Sequence, residues 1–341
     1  MKSLILSPLG SLYGAFTRAR TQMYERGTFK TTKLERPVIS IGNMTTGGTG
    51  KTPLVEWVAR TLAGEGKKVC ILTRGYGRKN PDRHVLVSDA TQVFSNPTDA
   101  GDEPFLLATN LLGIAAVISD ADRITAGQGA IKHLRTDCFV LDDGFQHLRL
   151  ARDLNIVSVD ATNPWGGGRL LPLGRLRETL AGLKRADCIV LTRCDQAKDV
   201  ETIREEINRL SGDRPVFQSR MKTVRLVPLK ETDTVLPPVT PIAAFCGIGN
   251  PQSFFNHLKM SGYETVIQQS FADHHTYTQA DVDNLRNIAR AAGAKSFVTT
   301  AKDAVKLRDL EFDLPCYSLE IEIQIEDGDE LRRLVLNAAQ S

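Results

Sequence analysis

At 341 residues, 41% of them hydrophobic and 24% charged, the chain is long enough for two cores and has the composition of an ordinary globular protein. A formal net charge of +3 argues against a general nucleic-acid binder. The six cysteines form no C-x-x-C pair; Cys70, Cys138, Cys188 and Cys246 sit in apolar, strand-like runs and read as buried free thiols in a reducing compartment.

The charge is unevenly placed, with seven basic and two acidic residues up to Arg36. Ser7-Pro8 reads as a helix start. On a helical wheel Leu9, Leu12, Tyr13, Phe16, Met23 and Tyr24 then share one face, opposite Arg18, Gln22 and Arg26, with Arg20 snorkelling from the apolar side. No stretch reaches the ~20 apolar residues that span a bilayer, and no small-residue cleavage site follows. An amphipathic helix lying in a membrane interface is the favoured reading; a helix docked on the protein's own core is the other.

Val38 to Thr52 read VISIGNMTTGGTGKT, an apolar strand running into a glycine-rich turn that ends Gly-Lys-Thr. Small residues let the N–H groups of Gly47, Gly48, Thr49 and Gly50 converge on a polyphosphate. Lys51 reaches its outer phosphates, and the Thr52 hydroxyl is placed to ligate Mg²⁺ at the next helix start. Pro53 and the amphipathic LVEWVARTLAGEG complete a strand–cradle–helix build. Asn43, Thr45, Thr46 and Gly47 to Thr52 are together read as the ATP phosphate site, although Thr45 stands where the usual pattern has glycine.

Apolar strand-like runs at 69–73, 115–119, 138–143, 154–160 and 188–192 alternate with helical patterns. Such runs mean a parallel sheet covered on both faces, with ligands at the carboxyl ends of the strands. A proline-bearing stretch, Leu226 to Pro241, reads as a boundary before a second run of strands and helices. The alternating YSLEIEIQI is expected to pair with VRLVPL near residue 226. The expected fold is therefore α/β. An amphipathic lead-in occupies 1–35, a P-loop NTPase-like parallel sheet domain 36–225 and a smaller α/β domain 226–341, with a strand-like linker at 222–229 and 316–325.

FVLDDGFQH (139–147) sets two adjacent acids after an apolar strand, as Mg²⁺ beside a phosphate cradle requires. Asp142 is the favoured ligand, with Asp143 oriented beside it; a plain Asp-Gly turn explains only Asp143. In TRGYGR (73–78), Arg74 and Arg78 can face phosphate and Tyr76 can stack on a ring. GDEP (101–104) places acids in a first helical turn, which the helix dipole alone would explain. SDADR (119–123) offers Arg123 near a strand end. GGGRLLPLGRLRE (166–178) is either a mobile loop with anion-binding arginines or a solvated turn. FADHHTY (271–277) lacks a third close metal ligand, so a histidine orienting a carboxylate across a domain cleft is a better reading than zinc.

GNMTTGGTGKTP, TRGYGR, GDEP, LDDGFQH, GRLLPLGRLRE, FCGIGNP, FADHHTY and TTAKDAVKL stand in the order seen in tetraacyldisaccharide 4'-kinases, which this chain resembles from about residue 36 to residue 310. LDDGFQH together with the cradle is the specific part, and the basic N-terminal helix looks like that family's membrane anchor. The resemblance implies transfer of the ATP γ-phosphate to the 4'-hydroxyl of a tetraacylated glucosamine disaccharide 1-phosphate in lipid A biosynthesis. It places that reaction at the cytoplasmic face of the bacterial inner membrane. The implied partners are that glycolipid and the membrane surface; no protein partner is indicated. Lys51 and Thr52 then match the phosphate and Mg²⁺ residues, and Asp142 and Asp143 the acidic pair. Asp102 matches a candidate general base, partnered by His274 or His275 once the two domains close on substrate, and Arg123 adds charge at the γ-phosphate. Tyr76, Gln146, His147, Arg177 and Glu178 fall on the substrate side.

Two positions depart from the pattern: Ala301 stands where glutamate is frequent, and Thr73 where serine is common. The first weakens any role for the Lys302-Asp303 turn. The competing reading is a membrane-surface ATPase switch of the MinD or ParA kind. Those proteins carry a lysine before the glycine pair, where this chain has Thr46, and lack a second α/β unit.

Overall fold

The computed structural model describes residues 2–230 and 238–340. Pro237, in the proline-bearing stretch, lies outside the described residues. Helix α1 (Lys2–Glu25) runs through Ser7-Pro8 instead of starting there.

The chain continues through β1 (Val38–Asn43), α2 (Lys51–Gly64), β2 (Val69–Thr73), β3 (Val85–Ser88), α3 (Pro97–Ala100), α4 (Asp102–Asn110), β4 (Ala115–Ser119), α5 (Arg123–Leu134), β5 (Cys138–Asp142), β6 (Leu154–Asp160), β7 (Cys188–Thr192) and α6 (Val200–Ser211). There follow β8 (Val216–Pro228), β9 (Ile242–Cys246), α7 (Pro251–Met260), β10 (Thr265–Ser270), α8 (Gln279–Ala291), β11 (Ser296–Thr300), α9 (Ala301–Ala304), β12 (Cys316–Ile325) and α10 (Gly328–Ala338). Strands β1, β2, β4, β5, β6 and β7 are buried along their whole length. Their unbroken apolar runs require this: Leu54 and Val58 of α2 cover one face, and Ala126 and Ala130 of α5 the other.

All twelve strands join one sheet in the order β10-β9-β11-β12-β8-β7-β6-β1-β5-β2-β4-β3. Pairing is parallel except for the edge strand β3 on β4 and the central pair β8 on β12. That central ribbon decides the shape of the molecule. Strand β7 joins it at Val216 to Gln218, the start of β8. Strand β11 joins it at Cys316 to Leu319, opposite Leu226 to Pro228 at the far end of β8. The two groups of strands therefore attach at opposite ends of an antiparallel ribbon. Their carboxyl edges point toward each other across roughly 25 Å of it. A register shift between Glu320 and Ile321 marks a bulge, the feature that adds twist to such a ribbon.

Helix α10 departs from the division expected at residue 226. Its Leu331 and Val335 are fully buried against Leu54, Val58 and Leu62 of α2, in the core of the first group of strands. Each such side chain contributes about 2 kcal/mol by burial, so the C-terminal helix belongs to the P-loop side.

Candidate functional site

The two facing edges enclose a cavity of about 1320 Å³ lined by the glycine-rich turn, the ends of β2 and β5, part of α1, and the turns after β9, β10 and β11. The turn between β1 and α2 is held open by its own carbonyls. Thr49 O accepts from Ser158 Oγ at 2.8 Å and Thr192 Oγ1 at 2.9 Å, and Gly48 O accepts from Arg193 Nη1 at 2.9 Å. In a trans peptide the following N–H points the other way, so the amides of Thr49 and Gly50 are turned from these anchors toward the cavity. Gly50 caps α2 at φ 78°, a conformation glycine adopts without strain.

Thr46 to Thr52 line the cavity, whereas Asn43 and Thr45 do not. Asn43 is fully buried, donates to Thr45 O at 2.6 Å and accepts from Lys51 Nζ at 3.0 Å. Thr45 is buried and bridges to Leu176. Both brace the turn from behind, a correction to their expected place in contact with nucleotide.

The two adjacent acids are shifted in opposite directions. Asp142 ends β5 fully in the sheet, accepts from Thr73 Oγ1 at 3.0 Å, and has its pKa pushed up to about 6 by burial and then by the Glu103 charge. Burial also acts to raise the pKa of Asp143, but Lys51 Nζ at 2.6 Å and Arg177 Nη1 at 2.7 Å outweigh it and hold it well below the usual carboxylate range. Asp143 is thus a spoken-for anion at φ 51°, while Asp142 makes no ion pair among the described residues. Thr52 and Asp142 both line the cavity. They fit a divalent ion: a buried carboxylate short of positive charge stands near a hydroxyl at a helix start. Among the described residues no three His, Cys, Asp or Glu side chains gather as a cage, which Mg²⁺ beside a polyphosphate does not require.

Across the cavity, His274 Nδ1 lies 3.4 Å from Asp102 Oδ2, so the pair is already assembled in this structure. His275 instead contacts Asp281 at 3.2 Å. The backbone of His274 is left-handed at φ 60°, and its ring lies 5.8 Å from that of Tyr76, which is exposed. Asp102 itself sits just behind the wall, which Glu103 and His274 form. Burial favours protonation of Asp102, but the His274 hydrogen bond and the Lys306 charge prevail, leaving its pKa below the ordinary value.

On the remaining side, Arg177, Gln146, His147 and Arg123 line the cavity together with Tyr13 and Arg20 of α1. Arg123 is buried, contacts His147 at 3.4 Å, and leaves its Nε without a partner. Burial and then the charges of Arg123 and its neighbours push the His147 pKa down to about 3, so this imidazole is neutral. Arg20 donates to Gln146 O at 3.2 Å, tying α1 to the site. Glu178 corrects an expectation: it is buried, absent from the wall, and engaged by Arg185 at 2.8 Å and by Gln146 at 2.9 Å. Its part is to aim Gln146.

Glu103, Lys306, Asp160 and Arg193 were not singled out in the sequence, and Lys302 only in a turn to which no role was given. Lys302 donates to Glu103 at 3.1 Å, and Asn250 donates to Asp160 at 2.9 Å beside the Arg193–Asp160 ion pair. Asp160 ends β6 and Arg193 follows β7, so the rule of looking just past each strand would have found both.

The family model for tetraacyldisaccharide-1-P 4'-kinase matches residues 2–340. The tetraacyldisaccharide 4'-kinase of Geobacter metallireducens is 43% identical over 310 residues, covering 89% of this chain and 88% of that protein. Its counterpart from Geobacter sulfurreducens is 40% identical over 331 residues, covering 94% and 89%. Among solved structures, the Aquifex aeolicus protein of this family, in complex with ATP, superposes with a TM-score of 0.76 at 32% identity, covering 99% of this chain and all of that one. With the match running from one end of the chain to the other, this protein belongs to the tetraacyldisaccharide 4'-kinase family.

Proposed function

We propose that this chain transfers the γ-phosphoryl group of ATP to the 4'-hydroxyl of a tetraacylated glucosamine disaccharide 1-phosphate, using Mg²⁺, at the cytoplasmic face of the inner membrane. The observation that carries the reading is a single cavity walled by a phosphate cradle, the imidazole of His274 with its carboxylate partner Asp102 behind it, and a helix with an exposed apolar face.

Phosphoryl transfer needs positioning and charge neutralisation more than covalent help. The amides of Gly47 to Gly50 hold the polyphosphate, and Lys51, released from Asp143, follows the γ-phosphate. Thr52 and Asp142 would hold Mg²⁺, which would supply positive charge to the polyphosphate. Arg123 adds positive charge, and among the described residues it has no carboxylate ion pair to be broken. The sugar hydroxyl gives its proton to Asp102 as its oxygen bonds phosphorus, and the electron pair of the broken P–O bond leaves on ADP. His274 orients that carboxylate, and Tyr76 beside it offers a ring face to the sugar. Asp102 stands just behind the wall, so a small shift of Glu103 or His274 brings it to the hydroxyl.

The acyl chains explain α1. Each buried CH₂ is worth about 0.8 kcal/mol, so the substrate stays in the bilayer and the enzyme must come to it. Leu9, Leu12, Phe16 and Met23 are exposed, while Gly10 and Gly14 pack on Leu173 and Leu170 and Tyr13 faces the cavity. Both expected roles for the helix therefore meet: one side docks on the protein and the other is free to lie in lipid. Among the described residues no helix is long and apolar enough to cross a membrane. The two strand groups act as two domains that hinge on the β8–β12 ribbon.

Incubating the protein with γ-labelled ATP and the purified disaccharide 1-phosphate tests the reading. Label should enter the lipid phase, and release of free phosphate alone would instead favour an ATPase switch.

A further inference from the structure

The short helix α9 and the residues just after it carry two lysines four positions apart, Lys302 and Lys306, which face the two adjacent acids opening α4 on the other side of the cavity. Both are largely buried, their side chains 16% and 10% exposed. Neither was read as functional, and each touches one member of the Asp102–His274 pair.

Lys302 Nζ lies 3.3 Å from His274 Nε2, as well as 3.1 Å from Glu103 and 3.4 Å from Asp273. An ammonium has only hydrogens to give, so at this contact Nε2 is the accepting nitrogen. The ring proton is then on Nδ1, the atom 3.4 Å from Asp102 Oδ2, and it is donated to that carboxylate. Lys306 Nζ lies 3.5 Å from Asp102 Oδ2 and 3.3 Å from Asp303 Oδ1. Asp303 is fully buried and is fixed by Gly247 N–H at 3.0 Å and Thr300 Oγ1 at 2.7 Å. Lys306 is therefore pinned to the second strand group by one carboxylate and offers its charge to the other. Tyr277 packs under it, with the ammonium 5.4 Å from the ring centre.

We infer that Lys302 and Lys306 are positioning residues for proton transfer: Lys302 selects the His274 tautomer that donates to Asp102, and Lys306 keeps Asp102 an anion ready to accept. A carboxylate half withdrawn from water tends to protonate, and a fixed ammonium at this distance opposes that. The charged groups facing Asp102 are His274 and Lys306 in contact, Lys302 and Asp273 through His274, Asp303 through Lys306, and Glu103 beside it on α4. The Asp102–Lys306 contact links the two strand groups, so the base is fully prepared only when they are together. The inference rests on the reading of Asp102 as the base.

The pH dependence of kcat/KM for the disaccharide, measured on the full chain in detergent micelles, tests it. Lys306→Met should move the acidic limb to higher pH, so that kcat/KM falls most on that limb and least at neutral pH, with KM for ATP little changed; Lys306→Arg should restore the limb. Lys302→Met should lower kcat across the whole profile without moving that limb, and Lys302→Arg should recover it. Removing Lys306 alone strands Asp303 as a buried charge. The double variant Asp303→Asn/Lys306→Met keeps that corner neutral and should show the same displaced limb. An unmoved limb in either Lys306→Met variant that melts like the wild type overturns the inference. Asp102→Asn separates the two claims: retained turnover sinks the base assignment itself, whereas lost turnover beside an unmoved Lys306→Met limb sinks only the role of the lysines.

Discussion

Two neighbouring aspartates at the end of β5 show how position alone divides chemical labour. Asp143 is neutralised by Lys51 and Arg177, whereas Asp142 is buried and, among the described residues, accepts from Thr73 without an ion pair. The raised pKa of Asp142, about 6, makes a signed prediction. Between the unfolded carboxylate value near 4 and the folded one, the native state binds more protons than the unfolded state, so this group destabilises the nucleotide-free protein as pH rises through that window. Asp142→Asn should therefore raise the melting temperature at pH 7 without Mg²⁺ and ATP, by an effect on the order of 2 kcal/mol, while abolishing Mg²⁺-dependent stabilisation by ATP. Thermal melts with and without Mg²⁺·ATP check both halves; a destabilised variant would contradict the assignment. Asp102→Ala should cut kcat by about a hundredfold or more with ATP affinity nearly unchanged, and equal losses in both would reject it as the base. Residues at this scale were legible where they belong to compact motifs. Lys51, Thr52, Asp142 and Asp143 stand in short runs, and the cavity brings together all but Asn43, Thr45 and Glu178 directly, with Asp102 just behind its wall. The role of the lysines was not legible although both stand in TTAKDAVKL, because the α4 acids they face lie about 200 residues away.

Helices show a different pattern of success. A strand buried on both faces announces itself through an unbroken apolar run, so β1 and its neighbours could be placed from sequence. Helix α1 was harder, because a wheel assigns one apolar face where the structure divides it between an exposed side and a side packed on the protein. Leu12 and Phe16 are 68% and 64% exposed, whereas Tyr13 turns to the cavity. The double substitution Leu12→Glu/Phe16→Glu should shift the protein from membrane to soluble fractions while preserving turnover on a detergent-dispersed, short-chain acceptor; unchanged partitioning would remove the anchor role. Helix α10 could not be assigned from its pattern at all. Its apolar stripe requires a core but does not say which one, and the long return of β12 carries it back to α2. Leu331→Ala should cost about 2–5 kcal/mol in chemical denaturation and reduce ATP affinity only through loss of folded protein.

At the scale of the whole molecule, the antiparallel β8–β12 ribbon turns two parallel sheets into facing halves, so that the turn after β9 sits on the phosphate cradle. A methyl group on Gly249 would lie 2.6 Å from Gly48 N, a contact that backbone cannot relieve. Gly249→Ala should accordingly hold the halves apart, lowering kcat at least about tenfold with little change in melting temperature. Wild-type turnover in that variant would show that this contact is not needed. Alternation in YSLEIEIQI made the ribbon pairing readable, although it shows as one wet face only near the end of β12, where Ile323 is buried between exposed Glu322 and Gln324, while Cys316 to Leu319 are buried throughout. The convergence of the two carboxyl edges was not readable, because it depends on where along the ribbon each half attaches. On the proposed reaction, this cavity moves phosphate from ATP to a lipid-borne sugar hydroxyl. Label from γ-labelled ATP should appear in the disaccharide with the wild type and vanish with Lys51→Ala and Asp102→Ala, whereas label released only as free phosphate, with the lipid unlabelled, would contradict it.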